Sequence, residues 1–244
     1  MKKIILLILI FVMIIGGITL CYNSKTKNKS NDTDKNKETN LIEVKGNDYT
    51  IKDDLKHYDD IETKKIIEVK TNLDFSHSLS SIEKMISLAD NVIEFVVEDL
   101  NYKFIDGTGY TIYNIKITKA FAGSLQEGDK ISLLQYGGIF TIEDEINYWH
   151  DEIKFSNLTE EEKNNTLIVS RAEECVDYHK GDNFVAFISK VNLIDGAYST
   201  LNCGEGVFYY QDKDKLVRYS KKNYENNEIT YDELVEITKD ISKK

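Results

Sequence analysis

The feature that most constrains the fold is a pair of runs that read as β-strand. Val92–Glu98 (VIEFVVE) and Tyr110–Phe121 (YTIYNIKITKAF) are dense in β-branched and aromatic residues. Asp106-Gly107-Thr108-Gly109 supplies turn chemistry between them. In the second run the apolar phase passes from Tyr110 and Ile112 to Tyr113, Ile115 and Ile117. A one-residue slip exchanges the two faces of a strand, so it predicts a β-bulge there.

Further strands are expected on both sides. Ala122–Asp129 reads as a loop leading into Lys130–Tyr136, which ends at a Gly137-Gly138 break. Leu167–Val169, Phe184–Val191 and Ala197–Leu201 follow, and Val207–Tyr219 is expected to be a hairpin turning at Asp212–Lys215. Two helices have start signals. Leu79, Ile82, Ile86 and Ala89 fall on one helical face with a capping-box pattern at Ser80-x-x-Glu83, and Thr230-x-x-Glu233 precedes Leu234, Ile237 and Ile241. Residues 143–166 are acidic and polar, and read as an insertion with one helical turn near Thr159–Lys163.

Roughly six or seven short strands with helices at the two ends predict a mainly β domain with flanking helices (α+β). The expected architecture over residues 78–244 is a small antiparallel OB-like β-barrel, preceded by one helix and closed by a C-terminal helix, with the insertion near 143–166.

The N-terminus sets the compartment. Met1-Lys2-Lys3 is a short basic segment, Ile4–Ile15 an unbroken apolar run, and Gly16-Gly17-Ile18-Thr19-Leu20 leads to Cys21. This is the layout of a secretory signal. A cysteine directly after such a run resembles a bacterial lipoprotein, in which Cys21 is lipidated. Leu20 is bulkier than the residue usual before that cysteine. Two alternatives stand beside lipidation: release after cleavage near Gly17, or retention of Ile4–Leu20 as an anchor at the short limit for spanning a bilayer. Residues 1–20 are therefore read as a signal peptide or membrane anchor, 21–45 as a disordered tether, and 46–77 as a poorly defined N-terminal extension. The Tyr22–Asn40 stretch (YNSKTKNKSNDTDKNKETN) has almost nothing to bury. Within the extension, Asp53-Asp54 and Asp59-Asp60 flank His57. They lack the spacing of a calcium loop and are read as a solvated face.

Composition sharpens the exclusions. The 244 residues carry a net charge of −11, and the apolar leader holds lysines, so the remainder is more acidic still. No basic stripe exists, which excludes a nucleic-acid footprint. There is no proline, against a usual share of ~5%, and only two of the 31 basic residues, Arg171 and Arg218, are arginine. Both depletions follow from AT-rich codon usage in a bacterial genome. The 41% apolar and 11% aromatic content excludes disorder throughout.

Four blocks carry a family resemblance: Ser81–Glu98 (SIEKMISLADNVIEFVVE), Tyr110–Gly138 (YTIYNIKITKAFAGSLQEGDKISLLQYGG), Gly181–Lys190 (GDNFVAFISK) and Gly196–Tyr210 (GAYSTLNCGEGVFYY). With the terminal ITYDELVEITKDI, they resemble uncharacterised exported lipoproteins of low-GC Gram-positive bacteria. The arrangement is also similar to the OB-fold barrel of the netrin and metalloproteinase-inhibitor group. That group inhibits through an N-terminal C-x-C segment, which this chain lacks. The resemblance therefore implies a fold and a location, and carries over no inhibitory or catalytic residue.

Three sets of residues are candidates for chemistry. Outside the cytoplasm Cys175 and Cys203 form an even pair. Their disulfide would close a loop of about 28 residues and stabilise by roughly 3 kcal/mol, and two free buried thiols are the alternative. Cys175-x3-His179 with Cys203 and His150 is a candidate Cys2His2 zinc set, though its spacing is not that of a finger or ribbon. Trp149-His150-Asp151 reads as an aromatic-flanked base or as a loop. The hydrolase signatures G-x-S-x-G and H-E-x-x-H are absent from the sequence. The acid groups Glu143/Glu145 and Glu160/Glu161/Glu162 read as solvated surface. Among the 15 tyrosines, Tyr198, Tyr209 and Tyr210 are candidates for a sugar- or peptide-binding groove, or for core positions.

The expectation is a non-enzymatic, extracellular binding module held to the cell membrane by its N-terminus. No cofactor, metal or nucleic acid is expected, and the ligand belongs to the envelope or the extracellular medium. The alternatives are an extracellular enzyme with an unfamiliar site, or a zinc or redox protein using Cys175, His179 and Cys203.

Overall fold

A computed structural model describes residues 65–220, 222, 224 and 227–239. Cys21, the leader, the tether, the Asp53–Asp60 acids and Ile241 lie outside the described residues. Among the described residues ten strands and four α-helices follow one another: β1 (Lys65–Thr71), α1 (Ile82–Leu88), β2 (Asn91–Ile105), β3 (Thr108–Ala122), β4 (Lys130–Thr141), α2 (Ile142–Trp149), α3 (Glu160–Asn164), β5 (Thr166–Ala172), β6 (Asn183–Lys190), β7 (Ala197–Thr200), a 3₁₀ turn (Cys203–Gly206), β8 (Val207–Tyr210), β9 (Lys215–Arg218), β10 (Glu228–Thr230) and α4 (Tyr231–Thr238). The protein is mainly β with a few helices, as its residue content predicts.

All ten strands belong to one mixed sheet, in the order β1-β5-β4-β3-β2-β6-β8-β9-β10, with β7 bridging β4 and β6. The expectation of a purely antiparallel arrangement is corrected in two places. β1, from the stretch left without an element in the sequence, runs parallel to β5, and β7 runs parallel to β4. The remaining ladders are antiparallel. Because β7 also pairs with β6, and β6 with β2, the pairing β4–β3–β2–β6–β7–β4 returns to its start.

The central hairpin is longer than expected, since β2 continues through Ile105 and only Asp106 and Gly107 form the turn. Both have positive φ (49° and 76°), the geometry that a two-residue hairpin requires and that an Asp-Gly pair supplies. The bulge also moves. β3 pairs with β4 without interruption from Tyr110↔Tyr136 to Lys116↔Lys130, and its ladder with β2 shifts register further along: β3 carries an extra residue at Thr118 and at Phe121, and β2 carries one at Glu98. The phase change in β3 has another cause, namely that both faces are covered. Tyr110 and Ile112 pack with Leu134 on one side, and Tyr113, Ile115 and Ile117 join the main core on the other.

That main core gathers Ile93, Phe95, Val97, Leu133, Ile188 and Tyr198 from the strands of the circuit, and takes Val176 and Tyr178 from the β5–β6 connection. A second core lies where α1 and α4 cover the sheet. It holds Leu79, Ile82, Met85, Val185, Phe187, Phe208, Leu216 and Leu234. α1 is capped by Ser81, whose hydroxyl accepts from the Lys84 backbone N–H, so the cap sits one residue later than Ser80. α4 starts at the expected Thr230/Glu233 capping box. α3 has its box at Thr159/Glu162, and α2, with a Thr141/Asp144 box, was not anticipated. Asn91, 1% exposed, accepts from the backbone N–H groups of Ser124 and Leu125 and fixes the β3–β4 loop.

Gly137-Gly138 is a corner inside β4 and does not end the strand. Up to Tyr136 the strand pairs with β3, and from Gly137 it pairs with β5. Gly137 has φ 94°, and a Cβ on Gly138 would lie 2.6 Å from the Tyr110 carbonyl oxygen. Only glycine lets the strand turn here against its neighbour's backbone.

Candidate functional site

The corner in β4 has a consequence for its neighbours. As the strand turns away from β3, Tyr136 is left 47% exposed, and a hollow opens on each side of Gln135 and Tyr136. Both residues line both hollows. Thr111 holds the corner in place by donating its hydroxyl to the Gly137 carbonyl at 2.8 Å.

The first hollow, about 250 Å³, lies between the ends of β2 and β3, the corner, and β5 with the segment after it. Its rings are Tyr102, Tyr113, Tyr136 and Tyr178. Its charged groups pair with one another: Arg171 Nη1 stands 2.8 Å from Asp177 Oδ2, and Lys70 Nζ 3.5 Å from Glu173 Oε1. Gln135 donates Nε2 to the Val176 carbonyl at 2.7 Å, and its buried Oε1 accepts no hydrogen bond from the described residues.

The second hollow, about 320 Å³, is bounded by β3, β4, the β6–β7 loop and the segment entering the 3₁₀ turn. Its lining is uncharged throughout. Phe75, Tyr110 and Tyr136 contribute rings, Gln135, Asn192 and Asn202 amides, and Ser199 and Thr200 hydroxyls. Tyr110 and Tyr136 stand with ring centroids 5.2 Å apart. Burial first, then the neighbouring Tyr136 and Asp106, push the Tyr110 phenol up to about 12, so it remains a neutral hydrogen-bonding group at physiological pH.

Cys175 and Cys203 are joined in a disulfide, with Cα atoms 4.6 Å apart. Cys175 lines the first hollow and Cys203 the second. The bond thus ties the segment after β5 to the 3₁₀ turn, where Gly204 N–H donates to the Glu174 carbonyl at 2.9 Å. Asn202 and Cys203, both with positive φ (44° and 52°), form the tight entry to that turn. Just beyond them Glu205, 2% exposed, accepts from Lys222 Nζ (2.7 Å), the Tyr224 hydroxyl (2.6 Å) and Asn202 Nδ2 (2.9 Å). Burial acts to raise this carboxyl. The three hydrogen bonds and the Lys222 charge outweigh it, and the net shift is downward.

The other sequence candidates fall elsewhere. His179 donates its backbone N–H to Asp182 Oδ2 at 2.8 Å, in the turn before β6, and Nδ1 lies 3.4 Å from the same oxygen. His150 is the left-handed C-cap of α2, with φ 51°. Asp151 accepts from the backbone N–H groups of Ile153 and Lys154, which engages the carboxylate of the supposed His-Asp pair in a turn. Among the described residues no three His, Cys, Asp or Glu side chains converge as metal ligands. With both sulfurs shared in the disulfide, the Cys2His2 set drawn from the sequence is not assembled.

Glu162 is the N3 residue of the α3 capping box, and Glu145 pairs with Lys154. Tyr198 is in the main core, and Tyr209 and Tyr210 are half-buried on β8. The tyrosines of the groove are Tyr110 and Tyr136, which sequence reasoning did not single out. The available signal was Tyr136 standing immediately before a glycine pair. Trp149 (59% exposed) and Tyr148 (44%) form a separate aromatic edge packed against Gly107 of the β2–β3 turn. Among the described residues no helix is long and apolar enough to cross a membrane. Comparison with protein-family models, curated proteins and solved structures finds no match.

Proposed function

We propose that the chain is an extracellular binding module, held at the outer face of the cell membrane by its N-terminus, and that its ligand face is the groove around Gln135 and Tyr136. The observation that carries this reading is the pair of hollows at the β4 corner. Their linings hold what binds ligands: rings, amides, hydroxyls and ion pairs already neutralised between partners. The closed circuit supports an OB-like barrel, because a three-stranded antiparallel meander, a strand returning to its first member and a last strand parallel to its third form a five-stranded barrel of that kind. In such a barrel the second and third strands and the flanking loops make the binding face. Here these are β3, β4 and the β2–β3 and β6–β7 loops, of which β3, β4 and the β6–β7 loop border the second hollow.

The export signal supplies the anchor, with Cys21 as the lipidated residue. Two measurements test the proposal. Cells expressing the full chain are labelled with a radioactive fatty acid and then shaved with external protease. Label on the wild type and its loss in Cys21→Ser, with cleavage in intact cells, are the expected results. Full chain immobilised in detergent is then incubated with solubilised envelope components. Retention of a component that is lost on Tyr136→Ala supports the groove; equal retention by Tyr136→Ala, or turnover of the component, overturns it.

A further inference from the structure

Resting on the reading of the β4 groove as a binding face, we infer that its second hollow takes an uncharged, polyhydroxylated ligand, a neutral sugar unit. Three properties of the lining converge on that class. The first is charge: none of the lining side chains carries a charge near neutral pH, and burial holds Tyr110 neutral up to about 12. A ligand ion entering this hollow finds no counter-charge on its walls, and an unpaired ion withdrawn from water is costly.

The second property is the density of neutral hydrogen-bonding groups. The exposed Asn192 amide brings a donor and an acceptor end and the hydroxyls of Ser199 and Thr200 serve as either, whereas the amide nitrogens of Gln135 and Asn202 already donate within the protein. Sugar hydroxyls also donate and accept, so these groups suit the edges of a polyol, while the larger apolar part of the lining suits its C–H faces.

The third is the ring surface. Tyr136 is 47% exposed at the mouth and Leu193 is 37% exposed beside it. An exposed ring next to hydrogen-bonding groups offers an apolar platform to the C–H face of a pyranose while its edges are bound by polar groups. The hollow's volume, about 320 Å³, lies at the small end of the ~300–1,000 Å³ range of ligand pockets, which suits one end of a glycan or a short piece of it. The first hollow has charged walls and does not share this signature.

The test uses the full chain purified in detergent and isothermal titration with five tetrasaccharides. Three are neutral: those of N-acetylglucosamine, β-1,4-glucose and α-1,4-glucose. One is cationic (glucosamine) and one anionic (galacturonate). At least one neutral probe should bind about tenfold or more tightly than either charged one, and Tyr136→Ala and Asn192→Ala should each weaken it by about tenfold, the factor that one well-placed contact commands. Asn192 lies on an exposed loop and its replacement spares the core. Trp149→Ala, outside the hollow, should leave the affinity unchanged.

Absence of binding by all three neutral probes, a charged probe binding as tightly, or neutral binding that survives both groove variants overturns the sugar assignment. The module reading then still stands if an envelope component is retained through Tyr136. Release of product from a tetrasaccharide overturns the module reading itself.

Discussion

Glu205 shows how a charge is kept in the interior of a small β domain. A carboxylate withdrawn from water is stable only when its lone pairs are filled, and three donors from two separate segments fill these. The Arg218 guanidinium beside it donates to the Leu79 carbonyl and lies over the rings of Phe208 and Tyr224. The folded-state pKa of Glu205 is lowered, so its contribution is complete above the ordinary glutamate value of about 4.3 and is lost as pH falls through its own lower value. Glu205→Gln should therefore cost about 2 kcal/mol at neutral pH, as the charge-assisted hydrogen bonds weaken. The deficit should shrink as pH falls below the ordinary glutamate value and vanish as it passes through the wild-type carboxylate's lower one. Denaturant melts of both proteins from neutral to acid pH check this; a deficit that does not change with pH removes the ionised carboxylate from the account. Nothing in the sequence around CGEG distinguishes Glu205 from the other acids, because its partners Lys222 and Tyr224 arrive from beyond a hairpin. Gly138 is the opposite case. Its type was legible, but "YGG" reads equally as the end of a strand or a corner within one, and only the approach of the Tyr110 backbone decides.

At the level of elements, local chemistry was legible and pairing was not. The Thr159 and Thr230 capping boxes and the Asp-Gly turn are short-range signals, and each stands where its residues point. α2 escaped notice because Glu143, Asp144 and Glu145 make its start look like exposed coil, although acids in a first turn favour a helix. The bulge expected between Ile112 and Tyr113 is not there, and those of β3 fall at Thr118 and Phe121, because a phase change has two causes, an extra residue or a second covered face, and periodicity cannot separate them. The segment after β5 has little secondary structure of its own. It is held by the Cys175–Cys203 bond, by Gly204 N–H on Glu174 and by Gln135 on Val176. Replacing both cysteines by serine should lower stability by about 3 kcal/mol, the cost of releasing a loop of this length in the unfolded chain. Unfolding curves of the double variant give the magnitude. Alkylation of Cys175 and Cys203 before reduction, or an unchanged midpoint, would remove this fastening from the account.

For the whole molecule, the closed circuit and the open ends of the sheet imply unequal resistance to opening. β2 and β3 share a long antiparallel ladder, each has a second partner, and their side chains fill the main core. Among the described residues β1 pairs only with β5 and is mostly exposed or half-buried, and β10 is a short strand paired only with β9. Amide exchange follows the cheapest opening available to each group, and an end strand can detach without disturbing the core. Exchange in β2, β3 and β6 should therefore track global unfolding. Amides of β1 and β10 should exchange about a hundredfold faster or more, a gap of roughly 3 kcal/mol set by local detachment. β7 decides whether the circuit acts as one unit. It is only a few residues long and would behave as an end if it did not join β4 to β6. Protection of Tyr198 and Thr200 matching that of β6 means that β7 opens only with the body of the sheet. Exchange of those two amides at the rate of β1 means that the β4–β7 contact is a loose seam, and that the wall of the second hollow opens independently of the core.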